Sequence, residues 1–277
     1  MSGSGFETPL DQIASRGYGV IELDPPDQRR LDDLFEAARQ FFARDSEWKI
    51  RQSVPDRNIG YREQGHAHAG SPESLDLNES FLYWKGRRAL YPGPEEIDVL
   101  LSALDDYEVV VARLIREILD DLRDGYRYEG PLDFEDDSLI QLNFFSLASG
   151  RELLQQSHED ATMLTIIAAD SSGLEIIRDG VAEPVDLETS QVLVMPGSTM
   201  TKMTGGRIPP LYHQVRNFGR LGRLSVPYFV NLSTAKPIDP FVVNDSNRFL
   251  DIREHIAEVP RKFGLTGDFP PRLAEEG

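Results

Sequence analysis

The sequence predicts an α+β fold, mainly β in its core, with helices first and an antiparallel sandwich or barrel after them. Two long segments before Gly125 carry apolar residues at helical spacing. After Gly125 the period changes to the short, alternating runs of strands, punctuated by Gly, Pro, Asn and Asp at intervals of roughly ten to twenty residues. No helical pattern separates those runs, which points to an antiparallel sandwich or barrel.

The elements follow in order. "GYGVIEL" (17–23) reads as a strand after a glycine turn. "DPPDQRRLDDLFEAARQFFARD" reads as a helix with Asp27 as N-cap and Leu31, Leu34, Phe35, Ala38, Phe41 and Phe42 on its apolar face. Residues 51–80 are polar and broken by Gly60, Gly65, Gly70 and Pro72, so an irregular covering loop is expected. It includes "GYREQGHAHAG", where His66 and His68 suit a substrate-covering loop better than a metal site. "ESFLYWKG" (79–86) reads as a strand. From Pro94 to about Asp124, Leu100, Leu104, Tyr107, Val111, Leu114, Ile118 and Leu122 keep one helix face apolar, with Gly125 as the stop. Strands are then expected at 138–147, 161–170, 173–180, 191–197, 211–217 and 223–233, and a short helix in "SNRFLDIREHIAEV" before a Pro-rich acidic end.

Composition narrows the function. The 277 residues and 40% hydrophobic content fit one domain, divided as a helical N-terminal region with lid loops (1–135), a β core (136–235) and a helical tail (236–277). A formal charge of −18 argues against a nucleic-acid partner, whose phosphates need clustered Lys and Arg. No apolar run approaches a membrane span, and "MSGSGFETPLDQIASRG" has no signal-peptide pattern. The absence of cysteine excludes disulfides and thiolate chemistry and fits a cytoplasmic protein, for which a monomer is expected.

The chemistry concentrates in the β region. His158 and Asp160 form a His-x-Asp pair, whose alternate positions on extended chain share one side. Two imidazoles and a carboxylate on one face of non-haem Fe(II) leave three positions for substrate, cosubstrate and oxygen. Two histidines lie downstream: His213 in the strand-like "PLYHQVRNF", 55 residues after His158, and His255 in the acidic tail. Ten residues beyond His213, Arg223 and Ser225 alternate on one strand face, a guanidinium fork beside a hydroxyl that suits a planar carboxylate.

The segments "QLNFFSL", "SHEDATMLTII", "GLEIIRDG" and "YHQVRNFGRLGRLSVPYFVNLS" resemble the core of the isopenicillin N synthase-like branch of Fe(II)/2-oxoglutarate-dependent oxygenases. The resemblance implies a double-stranded β-helix, or jelly roll, with the N-terminal helices packed outside it. It implies His158, Asp160 and His213 as iron ligands and Arg223 and Ser225 as the cosubstrate clamp, with Asn143 beside them. The family's Asn-x-Tyr reads Asn143-Phe144-Phe145 here, so Phe145 lacks the hydroxyl. The retained Asp160 favours hydroxylation, desaturation or ring formation over halogenation, which uses a small residue there. The implied cofactors are Fe(II), 2-oxoglutarate and O2, acting on a small molecule of natural-product or secondary metabolism. The alternatives are an Fe(II) oxidase without 2-oxoglutarate and a non-catalytic jelly-roll binding protein. Tyr61, Arg62, Phe81, Tyr83, Met203, Arg207 and Tyr228 are the expected substrate-facing residues.

Overall fold

The computed structural model describes residues 7–54, 58–68, 73–146, 149–219, 221–245, 247 and 251–262. In chain order the elements are α1 (Pro9–Arg16), β1 (Gly19–Glu22), α2 (Pro25–Phe42), α3 (Ser46–Ile50), β2 (Ser53–Val54), β3 (Ile59–Arg62), β4 (Glu79–Tyr83) and α4 (Asp98–Tyr126). There follow β5 (Leu139–Phe145), β6 (Leu153–His158), β7 (Leu164–Ala169), β8 (Leu174–Arg178), β9 (Val181–Pro184), β10 (Gln191–Pro196), α5 (Ser198–Met203), β11 (Tyr212–Arg216), β12 (Arg223–Val230) and α6 (Ile252–Lys262).

The strands form two antiparallel sheets. The major sheet runs β1-β10-β7-β12-β5-β4-β3-β2, and the minor sheet β6-β11-β8-β9. The α+β class with a β core is as the sequence predicts, but α1, α3, β2, β3, β6, β9 and α5 lie in segments read as irregular or left unassigned, β6 among them although it ends on His158. β3 lies within the expected loop at 51–80, because Ile59 and Tyr61 find core partners that local pattern does not reveal. α5 interrupts the strand series with a single short helix.

α2 begins earlier than its expected cap. Asp24, not Asp27, caps it, accepting from the Asp27 amide at 2.9 Å. Pro25 and Pro26 fit the first turn, where missing N–H groups cost nothing. Asp27 is instead buried and paired with Arg113 of α4, which ties the two helices together. α4 runs through Gly125 to Tyr126, and Arg127 supplies the left-handed C-cap (φ 52°). The expected tail helix is α6 from Ile252; residues 246, 248–250 and the Pro-rich end from 263 lie outside the described residues.

Alternation along the major sheet decides what lies where. One face packs on α2 and α4: Tyr61, Phe81, Tyr83, Leu224, Val226, Tyr228 and Val230 join Leu34, Phe41, Leu104 and Val111 in one core. Burying a side chain of Phe41's size contributes roughly 2–3 kcal/mol. The other face looks inward, toward the minor sheet. At one end it packs Ile167, Leu193 and Met195 against Leu174 and Ile176, and at the other it is polar and hollow. No helix among the described residues is long and apolar enough to cross a membrane.

Candidate metal centre and its two cavities

His158 is the last residue of β6 and stands directly opposite His213 on β11. Their ring centroids lie 4.2 Å apart. Asp160 follows two residues later, with Oδ1 3.8 Å from Nε2 of His158. One ligand atom from each of the three residues falls within 4.8 Å of the others, and all three side chains are buried. Among the described residues this is the cluster able to hold a metal ion; His66 and His68 do not join it.

Neighbouring groups set each ligand's orientation. Nδ1 of His158 lies 2.8 Å from the Gln156 carbonyl, and Nδ1 of His213 lies 3.4 Å from the Leu211 carbonyl. Donation from Nδ1 makes Nε2 the lone-pair nitrogen of each ring, the one a metal would take. Burial, and next the adjacent His213, push the His158 imidazole down to about 4, against the pull of Asp160. It is therefore neutral near pH 7, as a metal ligand must be. Thr165 donates to Oδ2 of Asp160 at 2.7 Å and turns the other oxygen toward the histidines. The loop carrying Asp160 passes so close to Gly197 that a Cβ there would lie 2.6 Å from the Asp160 carbonyl oxygen.

β6 carries a bulge. His213 pairs with His158 and Val215 with Gln155, so two steps along β11 match three along β6. Simple alternation would turn residues 155 and 158 to opposite faces; the bulge lets both line the same cavity.

Two adjoining cavities share His158, Asp160, Gln141, Gln155 and Phe229. The inner one is closed by Arg223, Ser225, Asn143, His213, Ile167 and Pro227. Arg223 is 4% exposed, and its Nε and Nη1 have no partner. Burial lowers this guanidinium to about 10, Asp170 opposing, so it remains charged at neutral pH. Gly173 (φ 141°) sits where a Cβ would come within 3.0 Å of Arg223 Nε, so glycine gives the arginine its room. Phe145 lies opposite Arg223 in the register, its ring centre 5.5 Å from the guanidinium carbon. An aromatic face thus stands where the family pattern would put a phenol. Oδ1 of Asn143 accepts from Asn78 at 2.8 Å and from Gln141 at 2.7 Å.

The outer cavity is bounded by Arg62, His66, His68, Asp76, Asn78, Ser80 and Asn231. His66 and His68 line it, and Gly70 and Pro72 of the same stretch lie outside the described residues. Of the seven residues expected to face substrate, Arg62 is the one found in this wall. Tyr61, Phe81, Tyr83 and Tyr228 have the opposite strand phase and lie in the helical core. Tyr61 donates to Glu79, Tyr83 to Asp105 and Tyr228 to Glu108. Burial holds all three phenols well above their ordinary value, so they serve as fixed donors. Met203, the last residue of α5, is buried in the core, and Arg207 is exposed beyond it. Gln141, Gln155, Ser80 and Thr165 were not singled out from sequence, since amides and hydroxyls on strands carry no spacing signal of their own.

Residues 136–232 match the family described as the 2OG-Fe(II) oxygenase superfamily. Over that stretch, about a third of the chain, its β region is similar to the core of that family. Gibberellin 2-beta-dioxygenase 1 of Pisum sativum is 27% identical over 161 residues, covering 53% of this chain and 49% of that protein. Isopenicillin N synthase of a Flavobacterium is 34% identical over 95 residues, 33% of this chain and 28% of the synthase. The chain thus spans about half or less of the length of these relatives. A full-length Neurospora crassa protein, crystallised in complex with alpha-KG, superposes with a TM-score of 0.71 at 17% identity, over 91% of this chain and 88% of that one. That likeness shows the fold: the two sheets form the jelly roll that the ordered motifs imply.

Proposed function

We propose that the protein is a non-haem Fe(II)- and 2-oxoglutarate-dependent oxygenase that hydroxylates, desaturates or cyclises a small molecule, in natural-product or secondary metabolism. The observation that carries this reading is one inner cavity lined both by two histidines and an aspartate at ligand distance and by a buried, unpartnered arginine. The donor set suits Fe(II), and the orphaned nitrogens of Arg223 beside Ser225 suit the far carboxylate of 2-oxoglutarate. When bound, the metal and cosubstrate supply oxygen activation, with electrons from oxidative decarboxylation of 2-oxoglutarate to succinate and CO2.

The chain's own residues do the rest. His158 and His213 present Nε2 because backbone carbonyls hold Nδ1, and Thr165 fixes the ligating oxygen of Asp160. Ile167, Pro227 and Phe229 exclude water from the inner cavity. The outer cavity holds the substrate bond to be attacked close to the metal face, where proximity replaces a bimolecular encounter. The Neurospora crassa protein, crystallised with alpha-KG, and the gibberellin dioxygenase support this reading.

The test is O2-dependent release of succinate by the Fe(II)-loaded protein, with Arg223→Ala as control. Succinate formation that depends on Fe(II) and Arg223 is the expected result. A second reading, an oxidase whose substrate carboxylate occupies the clamp, is supported by the isopenicillin N synthase similarity and by the missing hydroxyl at Phe145. It predicts O2 uptake without succinate.

A further inference from the structure

Three cationic side chains are buried among the described residues: Lys49, Arg62 and Arg223. Their treatment differs. Lys49, 5% exposed, is paired with Glu79 and also donates to the Phe42 carbonyl. The fold thus pairs the buried cation that serves structure, because an uncompensated buried charge is costly. Arg62, 4% exposed, has no acidic partner among the described residues. Its Nη2 donates to the Asn58 side chain, and its Nε has no partner at all. Burial alone lowers it, to about 10, so it is charged near pH 7.

The register shows what Arg62 faces. Arg62 pairs with Ser80, Ser80 with Asn143, and Asn143 with Ser225. Directly opposed residues share a face, so these four form one polar row across β3, β4, β5 and β12. Three strand spacings separate Arg62 from Ser225, about 14 Å. Arg62 and the clamp are therefore at opposite ends of the joined cavities, with His158 and Asp160 lining both. Other orphaned polar atoms gather at the Arg62 end: Nδ1 of His68, Oδ1 of Asn78 and Oδ1 of Asn231. Buried polar atoms without partners call for an explanation, and a polar ligand supplies one.

We infer that the substrate of this oxygenase is a small carboxylic acid whose carboxylate is held by Arg62, with the bond to be oxidised placed at the metal face. This rests on the oxygenase reading above. A monocarboxylate fits better than a phosphate dianion, because one guanidinium is available. Nearby Asp76 is already engaged by Gln155 at 3.2 Å, and burial, with Arg62 adding to it and Glu63 opposing, lowers the His66 imidazole below its ordinary value. Arg223 binds the cosubstrate carboxylate and Arg62 that of the substrate, so the two acids enter in a fixed order along the cavity.

The test uses the Fe(II)- and 2-oxoglutarate-loaded protein under nitrogen and reads melting temperature and calorimetric affinity. The probes run from benzoate and phenylacetate to decanoate, each beside its primary amide, together with phenyl phosphate. At least one acid is expected to stabilise the protein where its amide does not. That preference is expected to fall about 30-fold or more in Arg62→Leu, as for truncating one partner of a buried charge pair, and to be partly kept in Arg62→Lys. Unliganded Arg62→Leu is expected to melt no lower than the parent, since it removes an uncompensated charge. Stabilisation by 2-oxoglutarate should be equal in all three proteins. The inference is overturned if no acid exceeds its amide, if the preference survives Arg62→Leu, if phenyl phosphate outcompetes every carboxylate, or if Arg62→Leu abolishes the 2-oxoglutarate effect. Loss of the 2-oxoglutarate effect in the parent, with acid binding still dependent on Arg62, would overturn the oxygenase reading and leave this one standing.

Discussion

The two faces of the major sheet are built from the same strands and do opposite work. On the helical face, Tyr61, Phe81, Tyr83 and Tyr228 are buried in an aromatic and aliphatic core, and the three phenols find acids. On the inner face, Arg62, Ser80, Asn143, Ser225 and Arg223 are nearly as buried, yet among the described residues both arginines lack an acid in salt-bridge contact. Burial alone therefore does not separate core from site. For the buried cations, pairing does: Lys49 has Glu79 inside the chain, whereas nitrogens of Arg62 and Arg223 are left short of partners at the cavities.

Substitutions can break or sharpen that contrast. Phe81, packed edge-on to Phe41 at 5.0 Å between centroids, should cost about 3–5 kcal/mol of stability as Phe81→Ala. Its neighbour Ser80, on the other face, should cost under about 1 kcal/mol as Ser80→Ala. Equal losses in urea unfolding would erase the distinction. Arg223→Leu should weaken 2-oxoglutarate by about 2–5 kcal/mol in calorimetry while leaving the melting temperature unchanged or higher. A drop in stability would mean that Arg223 serves the fold. Thr165→Val removes the donor that orients Asp160 and should lower Fe(II) affinity about tenfold or more by metal titration. Tyr228→Phe gives up a long 3.4 Å bond to Glu108 and should cost no more than about 1 kcal/mol, with the 2-oxoglutarate KM unchanged. A changed KM would return Tyr228 to the cavity.

Much of this was legible in the residues. The order His158, Asp160, His213, Arg223, Ser225 picks out residues that the fold does bring around one cavity; alternation pairs His158 with Asp160 and Arg223 with Ser225, and the resemblance adds His213. The same rule, pressed further, would have removed Tyr228: three residues from Ser225 on one strand, it must face the other way. Phe81 and Tyr83 needed the pairing of Ser80 with Asn143, which is a tertiary fact. Gln155 was out of reach, since the bulge on β6 reverses the phase that alternation assigns. Arg62 stands out in the sequence only by its polarity and its segment; that no acid among the described residues pairs with it emerges only in the fold. The ordered strand β3 inside a glycine-rich stretch reflects tertiary partners overriding local composition.

The central claim is that His158, Asp160 and His213 hold Fe(II) in the same cavity where Arg223 holds 2-oxoglutarate. The direct measurement is anaerobic absorbance on adding Fe(II) and then 2-oxoglutarate to the parent, His213→Ala and Arg223→Ala proteins. A visible charge-transfer band that needs both additions, is absent in His213→Ala and requires far more 2-oxoglutarate in Arg223→Ala is the predicted result. No band in the parent, or a band unchanged in His213→Ala, would contradict the account.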